Sequence, residues 1–299
     1  MADTITLTSG ALRVSLSPRG AELRSVLDRQ GREWLWQGDP ASWPRQAPVL
    51  FPVVGRCRGD VVRHQGAAYP MSIHGLAPHA EFEIVSRSDE RCELRFAASE
   101  ATRKSYPFDF QLRVSFALSG PTLVQEACVT NAGREVMPSS VGFHPGFPWP
   151  LPGCGETRGD HVILFERDEA GPIHRMSSQG IGQSDEATPV AGGQIGLADG
   201  LFAQGAMVFL GLRSRKLWFG VPGRPGIGVD MMDMPDLGIW TLPPARFVCI
   251  EPWQGYGDLA GFDGELLDKP GIVRLPPGES YTRAIRITFE DERPVRASP

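Results

Sequence analysis

The 299-residue sequence has few of the signals that mark a cell compartment, a membrane or a metal site. Its five cysteines are widely spaced and form no C-x-x-C pair, which argues against disulfides and thiolate metal sites and favours reduced thiols. No stretch reaches the run of about eighteen apolar residues that a membrane-spanning helix needs. The opening residues, MADTITLTSG, lack the basic and apolar regions of a secretory signal. We therefore expect a cytoplasmic protein without membrane association.

Charge and cofactor motifs are also sparse. The formal net charge is −5 and the basic residues do not cluster, which argues against nucleic acid and anionic membranes as partners. The motifs G-x-x-x-x-G-K-[ST], G-x-G-x-x-G and H-E-x-x-H are missing, as is the G-x-S-x-G of a nucleophilic serine. We expect a protein that works with side chains alone, without a cofactor or a metal ion.

Alternation of apolar and polar residues is the most frequent pattern along the chain. It occurs in LRVSLS from Leu12, in LRVSFAL from Leu112 and in IRITF from Ile285, and it is typical of strands with one buried face. The 35 glycines and 27 prolines are spread as turn signals rather than gathered into a linker. Only EATRKSYPF has the pattern of a short helix. The sequence predicts an all-β protein, a large antiparallel β-sandwich.

No change of composition divides the chain, so we expect one domain over residues 1–299. Long surface loops are expected between Gly153 and Gly193, with the single strand HVILFE among them. The tail 290–299, EDERPVRASP, lacks apolar periodicity and is expected to fray. For the assembly we expect a monomer or a homodimer.

Three stretches carry residues able to transfer protons or to bind a sugar. They are SIHGLAPH with His74, SSVGFHPGFPWP with His144, and FVCIEPWQGYGD with Glu251. Strand parity places His144 and Glu251 on the face opposite to their apolar neighbours. We expect His144 at a sheet rim beside Phe147, and Trp253 close to Glu251, where aromatic rings would cover the apolar face of a sugar.

Each of these residues also has an ordinary structural explanation. A single histidine on a strand is more often structural than catalytic, and a glutamate before proline can anchor a loop through backbone N–H groups. Arg56 follows an apolar run and can simply be solvated. His64, His161 and His174 have polar neighbours and are expected at the surface, and VDMMDMPD (229–236) is expected to form a solvated turn.

Taken in order, APVLFPVVGR, HGLA, GFHPGF and CIEPWQG resemble the motifs of the aldose 1-epimerase (galactose mutarotase-like) family, most closely its LacX-type branch. EWLWQGDPASWPRQAPVLFP and LLDKPGIVRLPPGE extend the likeness from about Leu12 to Phe289. The resemblance implies a galactose mutarotase-like β-supersandwich with a sugar site in a cleft on one sheet.

The resemblance also implies a role for each matched residue. Glu251 matches the general base of the family and His144 its general acid, while His74 and Arg56 match residues that hold the sugar. The implied partner is a free aldose such as glucose or galactose, whose α and β anomers are interconverted. The base removes the proton of the C1 hydroxyl as the acid protonates the ring oxygen, and the open aldehyde then closes on its other face.

Two departures from the family pattern leave other functions open. Pro78 stands where relatives often carry the arginine of H-G-F-A-R, and the family's sugar-binding aspartate has no matched position, the nearest segment carrying Gln204 and Gly205. The alternatives are a non-catalytic sugar-binding or regulatory protein, a hexose-6-phosphate epimerase, and a glycoside hydrolase that pairs Glu251 with Asp233. The few basic residues around the motifs favour a neutral aldose over a sugar phosphate.

Overall fold

The computed structural model describes residues 4–155, 157–177, 180–182 and 186–291, and strands dominate this part of the chain. In chain order, the first twelve strands are β1 (Ile5–Thr8), β2 (Leu12–Ser17), β3 (Glu22–Asp28), β4 (Val49–Leu50), β5 (Val61–His64), β6 (Ala67–Pro70), β7 (Glu83–Arg87), β8 (Arg91–Ala97), β9 (Phe110–Ser119), β10 (Thr122–Asn131), β11 (Met137–Ser139) and β12 (Val141–Phe143). The next twelve are β13 (Gly146–Pro148), β14 (Val162–Phe165), β15 (His174–Ser177), β16 (Gly180–Ile181), β17 (Gln194–Gly196), β18 (Met207–Phe209), β19 (Lys216–Gly220), β20 (Gly226–Asp230), β21 (Asp236–Trp240), β22 (Phe247–Gln254), β23 (Val273–Leu275) and β24 (Ser280–Asp291).

Helices are short throughout the described residues. The α-helix α1 (Glu100–Arg103) lies in EATRKSYPF, as predicted, and begins with a capping box in which the Ser99 side chain accepts from Thr102 N–H. The part of the chain that the structure describes also has five 3₁₀ turns, at Arg58–Asp60, Ala77–His79, Arg158–Asp160, Asp199–Phe202 and Leu266–Asp268. None of these helices has the length and apolar character that crossing a bilayer requires.

Two large antiparallel sheets form the body of the molecule. The first has nine strands in the order β17-β14-β19-β20-β24-β10-β9-β8-β7. The second has eight, in the order β16-β15-β18-β21-β22-β12-β4 with β13 also paired to β22. Three small sheets flank them, β1-β2-β3, β5-β6 and β11-β23. The prediction of a large antiparallel β-sandwich is confirmed.

The core lies between the facing sides of the two sheets. On β9, alternate residues from Leu112 to Leu118 are at most 5% exposed, as their period of two predicts. Aromatic pairs bridge the sheets: the ring centroids of Phe165 and Phe209 are 5.7 Å apart. Burial of alternate apolar residues on both inner faces is what stabilises such a sandwich.

The C-terminal strand is longer than the sequence predicts. β24 continues to Asp291, whose backbone pairs with Gly226, and the Glu290 side chain forms an ion pair with Arg32. The prediction that the tail frays from residue 290 is therefore wrong for its first two residues, because β20 extends the sheet beside them. Residues 292–299 lie outside the described residues.

The outer face of the eight-stranded sheet carries a second apolar cluster. Its buried members are Leu50, Val54, Ile181, Val208 and Trp253. These residues come from several strands and loops and lie on the opposite side of the sheet from the main core. This outer face provides the surface on which the candidate site is built.

Candidate functional site

A histidine and a glutamate meet on this outer face. His144 Nε2 lies 3.2 Å from Glu251 Oε2, and the two side chains are 7% and 3% exposed. The strand pairing explains the contact: Gly142 of β12 pairs with Trp253 of β22, and Gly146 of β13 pairs with Cys249, so the break between β12 and β13 falls beside Glu251. The structure thus brings together the two residues that the sequence singled out as acid and base.

Strand parity decides which residues face the pair. Val248 and Ile250 of β22 are fully buried in the main core. Cys249 and Glu251 alternate with them and point to the outer face, as predicted for Glu251. The same alternation buries Val141 of β12 in the core, on the side away from His144.

Two tryptophans enclose the imidazole. Trp43 stacks on His144 with ring centroids 4.9 Å apart, and Trp240 approaches it edge-on at 5.9 Å. Sequence reasoning missed both in this role. The glycine at position 146 was the one sequence signal for a close neighbour here. A methyl group on Gly146 would lie 2.6 Å from Trp43 Cζ3, so only glycine leaves room for this ring.

The expected position of Phe147 is wrong. Phe147 is fully buried, pairs with Val248 and faces the other sheet, where its ring centroid is 6.4 Å from that of Phe219. The alternation of β12 continues through Pro145 and Gly146 into β13, so Phe147 has core parity. It cannot cover a sugar on the outer face.

His74 lies edge-on to His144, with ring centroids 5.3 Å apart. Its Nδ1 accepts a hydrogen bond from Gly55 N–H at 3.2 Å, so the proton of the neutral ring is on Nε2. Burial, with the nearby Arg45 and Arg56 cations, lowers the pKa of His74 to about 4. At neutral pH this imidazole is a fixed, uncharged donor.

A tight turn holds His74 beside His144. His74 and Gly75 both have positive φ, +65° and +80°. A methyl group on residue 75 would lie 2.3 Å from the carbonyl oxygen of Phe51, so only glycine fits there. His74 N–H donates to Gly55 C=O at 2.8 Å, which ties the turn to the segment that leads to Arg56.

The two arginines near the turn are both engaged. Arg56 is partly exposed and pairs with Asp60, and its carbonyl oxygen accepts from Asp258 N–H. Arg45 donates to the Pro78 carbonyl at 3.0 Å, and its Nη2 lies 3.0 Å from His79 Nδ1. Arg45 thus places a guanidinium against the Pro78 carbonyl group.

Burial dominates the electrostatics of the pair. It raises the pKa of Glu251 well above its ordinary value, although the Trp253 side chain acts in the opposite direction. Burial also lowers the pKa of His144 well below the ordinary value, with the neighbouring His74 as the next cause. His144 and Glu251 lie 3.2 Å apart and therefore titrate as a coupled pair.

Cys249 adds a thiol beside the pair. One potential ligand atom from each of His144, Cys249 and Glu251 lies within 4.8 Å of the others, so these three residues could hold a cation. Burial and the Glu251 charge raise the pKa of the thiol well above its ordinary value, which disfavours the thiolate that a soft metal prefers. This group was not predicted from the sequence, because Cys249 has no other cysteine close to it in the chain.

Two other expectations from the sequence are corrected. His161 is fully buried rather than at the surface, because its Nε2 accepts from Leu151 N–H at 3.0 Å, whereas His64 and His174 are partly exposed. In the segment expected to be a solvated turn, Asp236 is buried on β21, where it accepts from Gly211 N–H, and burial raises its pKa.

This architecture, with a buried histidine–glutamate pair on the outer face of one sheet, defines a galactose mutarotase-like β-sandwich. A galactose mutarotase related enzyme from Lactobacillus acidophilus is 31% identical and superposes with a TM-score of 0.90, over 98% of this chain and 100% of that one. A galactose mutarotase-like protein from Lactobacillus casei is 28% identical with a TM-score of 0.87, over 96% and 100%.

Sequence comparison gives the family. The model of the family described as aldose 1-epimerase matches residues 3–173. Protein LacX of Lactococcus lactis subsp. lactis is 30% identical over 297 residues, which cover 96% of this chain and 99% of that protein. The chain belongs to the aldose 1-epimerase family, so the resemblance drawn from its motifs is confirmed.

Proposed function

We propose that this protein is an aldose 1-epimerase, which interconverts the α and β anomers of a free aldose such as glucose or galactose. The observation that carries the proposal is the buried contact between His144 and Glu251. Ring opening needs a base at the C1 hydroxyl and an acid at the ring oxygen, two oxygens bonded to the same carbon, so a closely spaced glutamate and histidine fit the reaction. Membership in the family supports the same reaction.

In this proposal Glu251 takes the proton of the C1 hydroxyl while His144 gives its proton to the ring oxygen. The bond between C1 and the ring oxygen breaks, and C1 becomes an aldehyde. After rotation about C1–C2, the hydroxyl of the former ring oxygen attacks the other face of the aldehyde. His144 takes back that proton and Glu251 returns one to O1, so the pair ends as it began.

The surroundings of the pair suit this work. A carboxylate with a raised pKa is a stronger base than an exposed one, and a base works best when its pKa approaches the working pH. Trp43 keeps the imidazole plane in place by stacking on it. His74, as a neutral donor at Nε2, and Arg56 are suited to bind sugar hydroxyls.

Polarimetry with fresh α-glucose and α-galactose tests the proposal. Glu251→Gln and His144→Asn should each lower turnover by about 10²–10⁴-fold, the usual contribution of general acid–base groups. Glu169→Gln is the matched control, because Glu169 is also buried but accepts from Ser214 N–H elsewhere. It should keep its turnover. Wild-type rates in either pair variant, or sugar binding with no rate above buffer in the wild type, would contradict the proposal.

The proposed reaction needs no metal ion, and chelation tests this directly. EDTA should leave turnover unchanged. A loss that added metal restores would instead show that the group of His144, Cys249 and Glu251 holds a working cation.

A hexose-6-phosphate epimerase is the second candidate, and Arg45 is the observation that favours it. Its guanidinium lies beside Pro78 and His79 and lowers the pKa of His74, so a cation is close to the candidate site. The Glu22 carboxylate, 3.5 Å away, partly compensates this charge, and we therefore place a neutral aldose first. A tenfold or greater preference in kcat/KM for glucose 6-phosphate over glucose, lost in Arg45→Gln, would decide for the phosphate.

A further inference from the structure

The indole of Trp253 lies flat on the sheet, below the acid–base pair. It is 2% exposed, and glycines face it from the strands on both sides. A methyl group on Gly142 would lie 2.8 Å from Trp253 Cδ1, and one on Gly238 would lie 2.4 Å from Cζ2 and 3.2 Å from Cε2. These contacts fix the ring in one orientation.

This orientation directs the indole N–H toward Glu251. Nε1 is bonded to Cδ1 and Cε2, the two atoms that lie over the glycines. Gly238, below Cε2, pairs directly with Glu251 across β21 and β22, and Trp253 follows Glu251 by two residues on the same face. The Trp253 N–H is therefore held close to the pair of residues, Gly238 and Glu251, that includes the carboxyl group.

The indole N–H is buried and makes no hydrogen bond of ordinary length among the described residues. Its approach to the Glu251 side chain is nevertheless close enough to lower the pKa of that group. A buried unpaired donor costs free energy, and most buried polar groups in folded proteins have a partner. An ionised carboxylate at Glu251, which is equally buried, needs donors beyond the single contact with His144.

We propose that Trp253 is a positioning residue whose indole N–H donates to the Glu251 carboxylate when that group is ionised and ready to act as base. This inference rests on the proposed function. It replaces the expectation that Trp253 stacks on the sugar, since the ring is sealed between glycines rather than open to a ligand. The lowering effect of the Trp253 side chain on the pKa of Glu251 agrees with it.

Trp253→Phe, which removes the indole N–H together with part of the ring, tests the inference. In Trp253→Phe, kcat should fall about 10- to 100-fold, as expected for one hydrogen bond to a charged group, while KM changes by less than about twofold. Trp34→Phe is the matched control: Trp34 is fully buried and donates its indole N–H to Asp28 Oδ2 at 2.8 Å. It should lose stability and keep kcat. A Trp253→Phe variant with wild-type kcat, or with a raised KM alone, would overturn the inference.

A double-mutant cycle separates positioning from a general structural effect. If the N–H acts through the carboxylate, Glu251→Gln/Trp253→Phe should be no slower than Glu251→Gln. Independent, multiplying losses would contradict the inference. Should Trp253→Phe fail to fold, replacement by benzothienylalanine, which puts sulfur in place of the N–H and keeps the ring shape, gives the same comparison.

The spectrum of ¹⁵N-labelled indole groups tests the contact without any turnover. The Trp253 N–H resonance, assigned by its loss in Trp253→Phe, should move on Glu251→Gln while that of Trp34 does not. An unmoved Trp253 resonance would overturn the inference. If the Trp253 resonance moves but the wild-type protein does not accelerate the mutarotation of any aldose, the contact between Trp253 and Glu251 is supported and the proposed function is rejected.

Discussion

Asp258 and Lys269 form an ion pair that is almost wholly buried beside the site segment. Their side chains are 7% and 1% exposed. Asp258 Oδ2 accepts from Arg58 N–H at 2.7 Å, and the Asp258 backbone N–H donates to Arg56 C=O at 3.1 Å. The pair therefore anchors both ends of the short segment that carries Arg56.

We predict that Lys269→Met lowers the free energy of unfolding by about 3–5 kcal/mol, because the Asp258 carboxylate is left buried without its cation. At 1.4 kcal/mol per tenfold change, this is a loss of roughly two to three and a half powers of ten in the ratio of folded to unfolded protein. Asp258→Asn/Lys269→Met should recover much of the loss, because no unpaired charge remains and the amide oxygen can still accept from Arg58 N–H.

Urea unfolding followed by tryptophan fluorescence measures these differences. Arg274→Met is the control, since Arg274 and Asp268 form an ion pair that is 58% and 67% exposed and should contribute less than about 1 kcal/mol. KM for the sugar should rise in Lys269→Met as the Arg56 segment loosens. A cost below about 1 kcal/mol for Lys269→Met, or a double variant less stable than the single one, would refute the reasoning.

Three further predictions concern the site. Turnover should follow a bell-shaped pH profile, because the proposed reaction needs one proton on the His144–Glu251 pair: a second proton gives the acid limb, and loss of the last proton gives the basic limb. Burial lowers the pKa of His144 and raises that of Glu251, which widens the pH range in which the pair holds one proton. A profile flat from about pH 5 to 9 would argue against paired acid–base catalysis. Gly75→Ala should lower the free energy of unfolding by at least about 1–2 kcal/mol because of the left-handed backbone alone. It should also remove most of the turnover, since the methyl group would displace the Phe51 carbonyl. An active variant with normal stability in urea would show that the turn has room for a side chain. Trp43→Ala should reduce kcat by up to about tenfold, because the His144 imidazole loses the ring that stacks on it. Trp43→Phe, which keeps an aromatic ring, should be closer to wild type. If polarimetry ranks the two variants the other way, stacking is excluded as the cause.

Local patterning was enough to predict the strands and the direction of the pair. A period of two is a property of the strand itself, so Val248 and Glu251 could be assigned to opposite faces from the sequence. The same rule, carried through Pro145 and Gly146, also assigns Phe147 to the core. Phe147 was predicted on the wrong face because the interruption of strand pairing at Pro145 was taken to interrupt the alternation of side chains as well.

Neighbours from distant segments could not be predicted in the same way. Trp43 precedes His144 by about a hundred residues and belongs to no strand, so its stacking depends on how a loop crosses the sheet. Arg45 reaches Pro78 through a similar approach of separate loops. The burial of His161 depends on the Leu151 N–H, a partner that polar sequence neighbours do not reveal.

β22 carries core residues on one face and the candidate base on the other. A shift of this strand by one position relative to its neighbours would exchange its two faces. Glu251 would then point into the apolar core and Ile250 to the outer face of the sheet. Such a molecule would lose the chemistry and the packing at the same moment. Under the proposed function, the mutarotation recovered after refolding would therefore count the molecules whose strands have found their proper partners, with no separate structural probe.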